Sequence, residues 1–124
     1  MQEVSQIFQI IVALGLLNVW LLRFNKPTEY RGGQASSMRQ EFATYGLPEW
    51  FCYLVGFLKV SSAICLLLGF LYPSIVIYPA IVVSVLMVGA LGMHLKVKDP
   101  IKKSIPAFSV LLMCVIIIIS RLNN

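Results

Sequence analysis

Residues 75–93 read IVIYPAIVVSVLMVGALGM, a run of 19 residues without a charged side chain. At a rise of 1.5 Å per residue, an α-helix of this length reaches across the roughly 30 Å hydrocarbon core of a bilayer. The run shows no apolar–polar alternation, and a segment in lipid must satisfy its own backbone hydrogen bonds. It is therefore predicted to be a transmembrane helix.

Three further runs have the same character. The chain is 59% hydrophobic and only 12% charged, against roughly 25% charged in an ordinary soluble domain. The sequence therefore predicts an all-α fold: a four-helix transmembrane bundle that forms a single membrane domain over 1–124. The predicted spans are 4–22, 50–71, 75–93 and 105–120.

The connection between the first two spans is too long to be a simple turn. Ser36 and Ser37 are suited to cap a short helix in which Met38, Phe42 and Tyr45 share one face. This spacing predicts a short interfacial helix in the first loop, with that apolar face at the membrane surface.

Basic residues are concentrated in two connections, which must share one side of a four-span bundle. Because basic loops stay in the cytoplasm, loops 23–49 and 94–104 are predicted to be cytoplasmic and both termini non-cytoplasmic. The formal net charge of +5 then reflects the orientation of the chain in the membrane. We expect the chain to contact a lipid bilayer and to bind no nucleic acid. The residues concerned are Arg23, Lys26, Arg31, Arg39, Lys96, Lys98, Lys102 and Lys103.

Lys59 is the outstanding candidate for chemistry, because it lies near the middle of the second span. An ammonium there costs about 2.5–3.5 kcal/mol or more, so the residue is expected to face the bundle interior. Two interpretations stay open. In the first, Lys59 binds an anion, a quinone oxygen or a proton. In the second, its amine extends towards water or bonds to a backbone carbonyl or to Asn18.

The remaining polar candidates are Asn18, Tyr53 and His94, which together with Lys59 form the predicted intramembrane polar site. Asn18 is expected to make an interhelical hydrogen bond, and Tyr53 or His94 is a candidate proton donor. We expect no catalytic constellation, no metal site and no cofactor bound by this chain itself. We expect any quinone or haem to be bound by a partner protein.

Several short motifs resemble the DoxX-like family over nearly the whole chain. They are Lys26-Pro27 after the first span, Tyr45-Gly46-Leu47-Pro48, Leu54-Val55-Gly56, Leu68-Gly69 and Met93-His94-Leu95-Lys96. The resemblance implies a four-helix membrane bundle. It implies scattered functions: small subunits of quinol oxidases or thiosulfate:quinone oxidoreductases, partners in oxidative-stress membrane complexes, and receptor-assembly chaperones. Many relatives have a glutamate where this chain has Lys59, so no catalytic role is transferred.

Three functions remain open at this point. The first is a non-catalytic accessory or assembly subunit of a larger membrane complex, with a protein partner or a second copy in the membrane. The second is a quinone-interacting subunit of a membrane oxidoreductase, and the third is an oligomeric solute or ion pathway. Small size and the lack of a recognisable catalytic motif favour the first, and the chain is more plausibly not an enzyme.

Overall fold

The computed structural model describes residues 2–28 and 30–123, which form five α-helices and no strand. The predicted all-α class is confirmed. The helices are α1 (Gln2–Leu17), α2 (Met38–Thr44), α3 (Glu49–Leu68), α4 (Ile77–Lys96) and α5 (Ile105–Leu122).

Four helical segments within these residues are long and apolar enough to cross a membrane, as predicted. They cover Glu3–Leu22, Glu49–Leu68, Pro73–Lys96 and Ile101–Leu122. The first includes a π-helical segment, Asn18–Leu22, that continues α1. The bounds differ from the predicted ones: α3 ends at Leu68, and α4 continues through Lys96. Lys96 in the last turn of α4 is favourably placed, because a cation there interacts favourably with the helix dipole.

The four long helices form a closed ring in the order α1, α3, α4, α5, and α4 and α5 make the most extensive contact. The outward faces remain strongly apolar, with residues such as Ile7, Leu14, Phe57 and Val85 exposed. A large exposed apolar surface is unfavourable in water, so this surface is the one that faces the lipid of the bilayer.

The interior contains two apolar clusters stacked along the bundle. The larger lies among the four long helices and is formed by Val12, Ala13, Leu16, Ala63, Leu66, Val76, Ala80, Val83, Met87, Cys114 and Ile117. The smaller contains Trp20, Met38, Phe42, Cys52 and Val55. On α3, Lys59 lies between Val55 of the smaller cluster and Ala63 of the larger one.

The short helix α2 closes one end of the bundle, which we call the long-loop end because it carries segments 23–48 and 97–104. The Ser37 hydroxyl accepts a hydrogen bond from the Gln40 amide at 3.2 Å, as expected of an N-cap. Contrary to the prediction, the apolar face of α2 does not lie at the membrane surface but packs inward, since Met38 and Phe42 are buried against Trp20. This docking carries the polar residues of α2 into the mouth of the bundle.

Candidate functional site

Lys59 is half-buried in the middle of the buried face of α3, where Val55, Gly56, Ser62 and Ala63 are its helical neighbours. Its Nζ lies 5.3 Å from the centroid of the Trp20 ring. Such a cation–π contact is worth about 0.5–2 kcal/mol, depending on desolvation. In the described part of the chain, no oxygen accepts a hydrogen bond from this ammonium, so the bonds to a carbonyl or to Asn18 considered above are not formed.

Trp20 reaches Lys59 because α3 has a glycine where the ring crosses it. A Cβ at Gly56 would lie 2.7 Å from a carbon of the Trp20 ring. The edge of Phe42 meets the same indole, with centroids 6.0 Å apart. Trp20 is thereby fixed between α2 and α3, with Lys59 over its ring.

Glu41 of α2 lies in the closed mouth of the bundle, with its side chain 14% exposed. Its carboxylate is 3.7 Å from the Arg31 guanidinium, which is itself buried. Burial raises the pKa of Glu41 above its usual value, while Arg31 and the Gly32 amide oppose the shift.

Tyr45, one helical turn after Glu41, is buried and hydrogen-bonded to the Glu41 side chain. Burial, together with the carboxylates of Glu41 and Asp99, raises the pKa of Tyr45, so the phenol keeps its proton at neutral pH. The His94 ring meets Tyr45 edge to face at 6.0 Å between centroids. Lys96 donates a hydrogen bond to the Tyr45 carbonyl at 2.8 Å, which ties α2 to the end of α4.

Asp99 completes the cluster from the loop after α4. His94 Nδ1 donates to Asp99 Oδ2 at 2.7 Å, which places the ring proton on Nδ1. The Gly33 amide donates to Asp99 Oδ1 at 3.0 Å, and Lys103 donates to the Gly33 carbonyl at 2.5 Å. Burial by itself would raise the pKa of Asp99, but the hydrogen bonds from His94 and Gly33, with Lys103 nearby, hold it below its usual value.

Position 33 must be a glycine to make its hydrogen bonds to Asp99 and Lys103. Its φ of +57° lies in the left-handed region, and a Cβ there would be 2.7 Å from Thr44 Cγ2. The two long connections are thus joined through one backbone position that donates to Asp99 and accepts from Lys103.

The predicted polar site is only partly assembled. Lys59 lies over the Trp20 ring and His94 is bonded to Asp99, whereas Tyr53 is half-exposed on the outer side of α3. Asn18 lies on the exposed surface of the π-helical segment, and its expected interhelical hydrogen bond is absent from residues 2–28 and 30–123.

Tyr53 belongs to a separate feature, an apolar groove of about 530 Å³ on the lipid-facing side of α3. Its ring stacks on that of Phe24, with centroids 6.1 Å apart and an interplanar angle of 20°. The groove is lined by Trp20, Phe24, Tyr53, Gly56, Phe57, Val60 and Ser61. Lys59 is not among these residues.

Sequence reasoning missed Glu41 and Asp99 as site residues. Glu41 lies three residues after Met38 and four before Tyr45, so helical spacing already placed it on the inward face. Asp99 is a single acidic residue in a lysine-rich loop, five positions after His94. The assembled side chains are of types that accept and release protons. Among the described residues, no three His, Cys, Asp or Glu side chains are grouped to hold a metal ion.

Comparison with known proteins gives one match. The sequence model of the DoxX-like family matches residues 30–118, which include α2 to α4 and most of α5. No curated protein matches the chain, and no solved structure matches it.

Replacing Gly56 by valine is expected to destabilise the bundle by about 1–3 kcal/mol, because the new side chain overlaps the Trp20 ring. Thermal unfolding in mild detergent should show a Tm lowered by several degrees. Gly15→Val is the matched control, since a Cβ at Gly15 meets nothing within 4 Å. Equal Tm values for the two variants would contradict this role of Gly56.

Proposed function

The chain belongs to the DoxX-like family, and on that premise we propose that it is a small accessory subunit of a larger membrane complex. The observation that carries this proposal is the outward face of α4. Gly89 and Gly92 are exposed on that face. They follow the exposed residues Val85 and Val88 and precede the end of the helix. A Cβ at either glycine would meet nothing within 4 Å.

Small residues on a lipid-facing helix favour close contact with another transmembrane helix. Lipid tails are as apolar as leucine, so helices associate in membranes through packing and hydrogen bonds, and glycine lets their backbones approach. Gly89 and Gly92 make no such contact inside this bundle. A transmembrane helix of a partner protein is the occupant that we propose for this face.

A pull-down of the tagged chain in mild detergent, with mass spectrometry of the eluate, tests the accessory role. We expect a stoichiometric partner with the native chain and with the control Gly15→Leu. The double variant Gly89→Leu/Gly92→Leu should retain about tenfold less partner, because its side chains hold the helices apart. A native chain that purifies alone as a monomer would contradict the proposal.

The groove beside Tyr53 favours a second candidate function, the binding of a quinone for a partner oxidoreductase. The groove is lined almost entirely by apolar and aromatic side chains, which is typical of small-molecule sites. Aromatic walls suit a flat ring, and the hydroxyl groups of Tyr53 and Ser61 are donors for quinone carbonyl oxygens. In this proposal Tyr53 lines the quinone site, whereas Lys59 and His94 do not.

Quenching of Trp20 fluorescence by a short-chain quinone analogue in nanodiscs tests the second candidate, in a Trp50→Phe background. We expect saturable quenching, and binding weakened about tenfold in Phe57→Ala because one wall of the groove is lost. Phe108→Ala removes a similarly exposed phenylalanine from α5 and should leave binding unchanged. Quenching that does not saturate, or equal effects of the two variants, would remove this candidate.

A further inference from the structure

A polar pocket lies at the long-loop end, beside the point where α3 enters the membrane. Trp50, the second residue of α3, is 66% exposed, and tryptophan is enriched where a span meets the lipid head groups. The pocket is therefore at the level of the head groups. Its polar lining comes from the first loop, from α2 and from the first residue of α3, and consists of Asn25, Ser37, Arg39, Gln40 and Glu49.

The pocket adjoins the apolar groove beside Tyr53. Asn25 of the pocket directly follows Phe24 of the groove, and Glu49 of the pocket lies one helical turn before Tyr53 of the groove. Residues four apart on a helix lie one above the other. The two features therefore share one side of the molecule, with the polar one at the membrane surface and the apolar one below it in the bilayer.

The groove follows α3 through one leaflet of the membrane. Tyr53, Gly56, Phe57 and Val60 have the spacing of a single stripe on a helix. From Tyr53 to Ser61 the helix rises by about 12 Å at 1.5 Å per residue, and half of a hydrocarbon core of ~30 Å is about 15 Å. An acyl chain that descends from the head-group level has the direction and the length to lie along this stripe.

The pocket combines one positive and one negative side chain. A guanidinium nitrogen of Arg39 is 2.8 Å from a carboxylate oxygen of Glu49, and the two side chains are 53% and 58% exposed. Because a guanidinium has five N–H donors and a carboxylate two oxygens, both groups keep hydrogen-bonding capacity beyond this pair. Among the described residues, no other charged side chain lines the pocket. Its lining is therefore suited to a ligand that carries both charges.

Uncharged donors lie beside Arg39. The Gln40 side-chain oxygen accepts hydrogen bonds from the Ser36 amide at 2.9 Å and the Ser36 hydroxyl at 2.7 Å. Within residues 2–28 and 30–123 its amide nitrogen donates to no acceptor, and the exposed Asn25 amide is likewise unbonded. These N–H groups, together with Arg39, suit the oxygens of a phosphate, whereas Glu49 suits an ammonium.

We propose that the pocket and the groove together bind one phospholipid with an ethanolamine head group. The phosphate accepts hydrogen bonds from Arg39, Asn25 and Gln40, the ammonium donates to Glu49, and one acyl chain lies along Tyr53 and Phe57. A choline head group has no N–H donor for Glu49, and an anionic head group carries no charge that pairs with it. The proposal does not depend on the accessory role, which rests on the outward face of α4.

Native mass spectrometry of the chain in mild detergent tests the head-group half of the site. The chain is titrated with phosphatidylethanolamine, phosphatidylcholine and phosphatidylglycerol that carry identical acyl chains. We expect one saturable site with at least about fivefold tighter binding of phosphatidylethanolamine, because only this lipid uses both charges. Glu49→Gln leaves the pocket positive and should shift the preference to phosphatidylglycerol. Lys98→Gln removes an exposed lysine that does not line the pocket and should keep the native order.

The same titration tests the acyl-chain half of the site. Phe57→Ala should weaken the binding of all three lipids about equally, whereas Phe108→Ala, which changes an exposed phenylalanine of α5, should not weaken it. Binding without a preference for phosphatidylethanolamine in the native chain, or the same order of lipids in Glu49→Gln as in Lys98→Gln, would overturn the proposal. The order in the native chain is decisive by itself if a variant does not fold.

The quinone candidate is separated from this proposal by the pocket. A quinone ring uses the groove alone, so Glu49→Gln should leave saturable quenching of Trp20 by the quinone analogue unchanged. Saturable quenching by the quinone without any lipid preference would assign the groove to a quinone only. That result would overturn phospholipid binding and leave the second candidate function standing.

Discussion

The buried guanidinium of Arg31 holds the long-loop end together. It donates to the backbone carbonyl of Lys26 at 3.0 Å and to those of Arg23 and Phe24, where the first span ends. The same group contacts the Met38 sulfur at 3.5 Å and the Glu41 carboxylate at 3.7 Å. Arginine suits this task because its planar group presents five donors in fixed directions. Burying a cation without partners would be strongly unfavourable, so the chain has to turn back on itself around Arg31.

This turn determines where α2 lies. With Met38 and Glu41 bound to Arg31, α2 is held over the mouth of the bundle, and Phe42 packs on Trp20. Trp20 in turn lies over Gly56 and beside Lys59. The candidate site is therefore a consequence of one loop conformation, in which α2, an element outside the spans, contributes the carboxylate of Glu41. Two hydrogen bonds hold the same conformation from the opposite side, one from the Gly33 amide to Asp99 in the loop after α4 and one from Lys96 at the end of α4 to the Tyr45 carbonyl.

Most of the fold could be predicted from the sequence, because the length and apolarity of each run decide whether a helix can span lipid. The existence of α2 could also be predicted, from its serine cap and from the spacing of Met38, Phe42 and Tyr45. Its burial could not, since an apolar helix face suits lipid and protein equally well. The pairing of Gly33 with Asp99 joins residues 66 positions apart, and nothing in a single sequence indicates such a contact. The π-helical segment Asn18–Leu22, in which Asn18 is exposed, could not be predicted from the sequence either.

The most direct test of this account is the reactivity of Cys52, which is completely buried beneath α2, compared with Cys114, which is equally buried in the larger cluster. Both should react slowly with a small maleimide in nanodiscs, as measured by mass spectrometry of the labelled peptides. Arg31→Lys keeps the charge but loses the fixed set of donors. We expect it to increase the labelling rate of Cys52 about tenfold, equivalent to ~1.4 kcal/mol, and to leave Cys114 unchanged. If Cys52 stays as protected in Arg31→Lys as in the native chain, Arg31 does not hold α2 in place and the account is wrong.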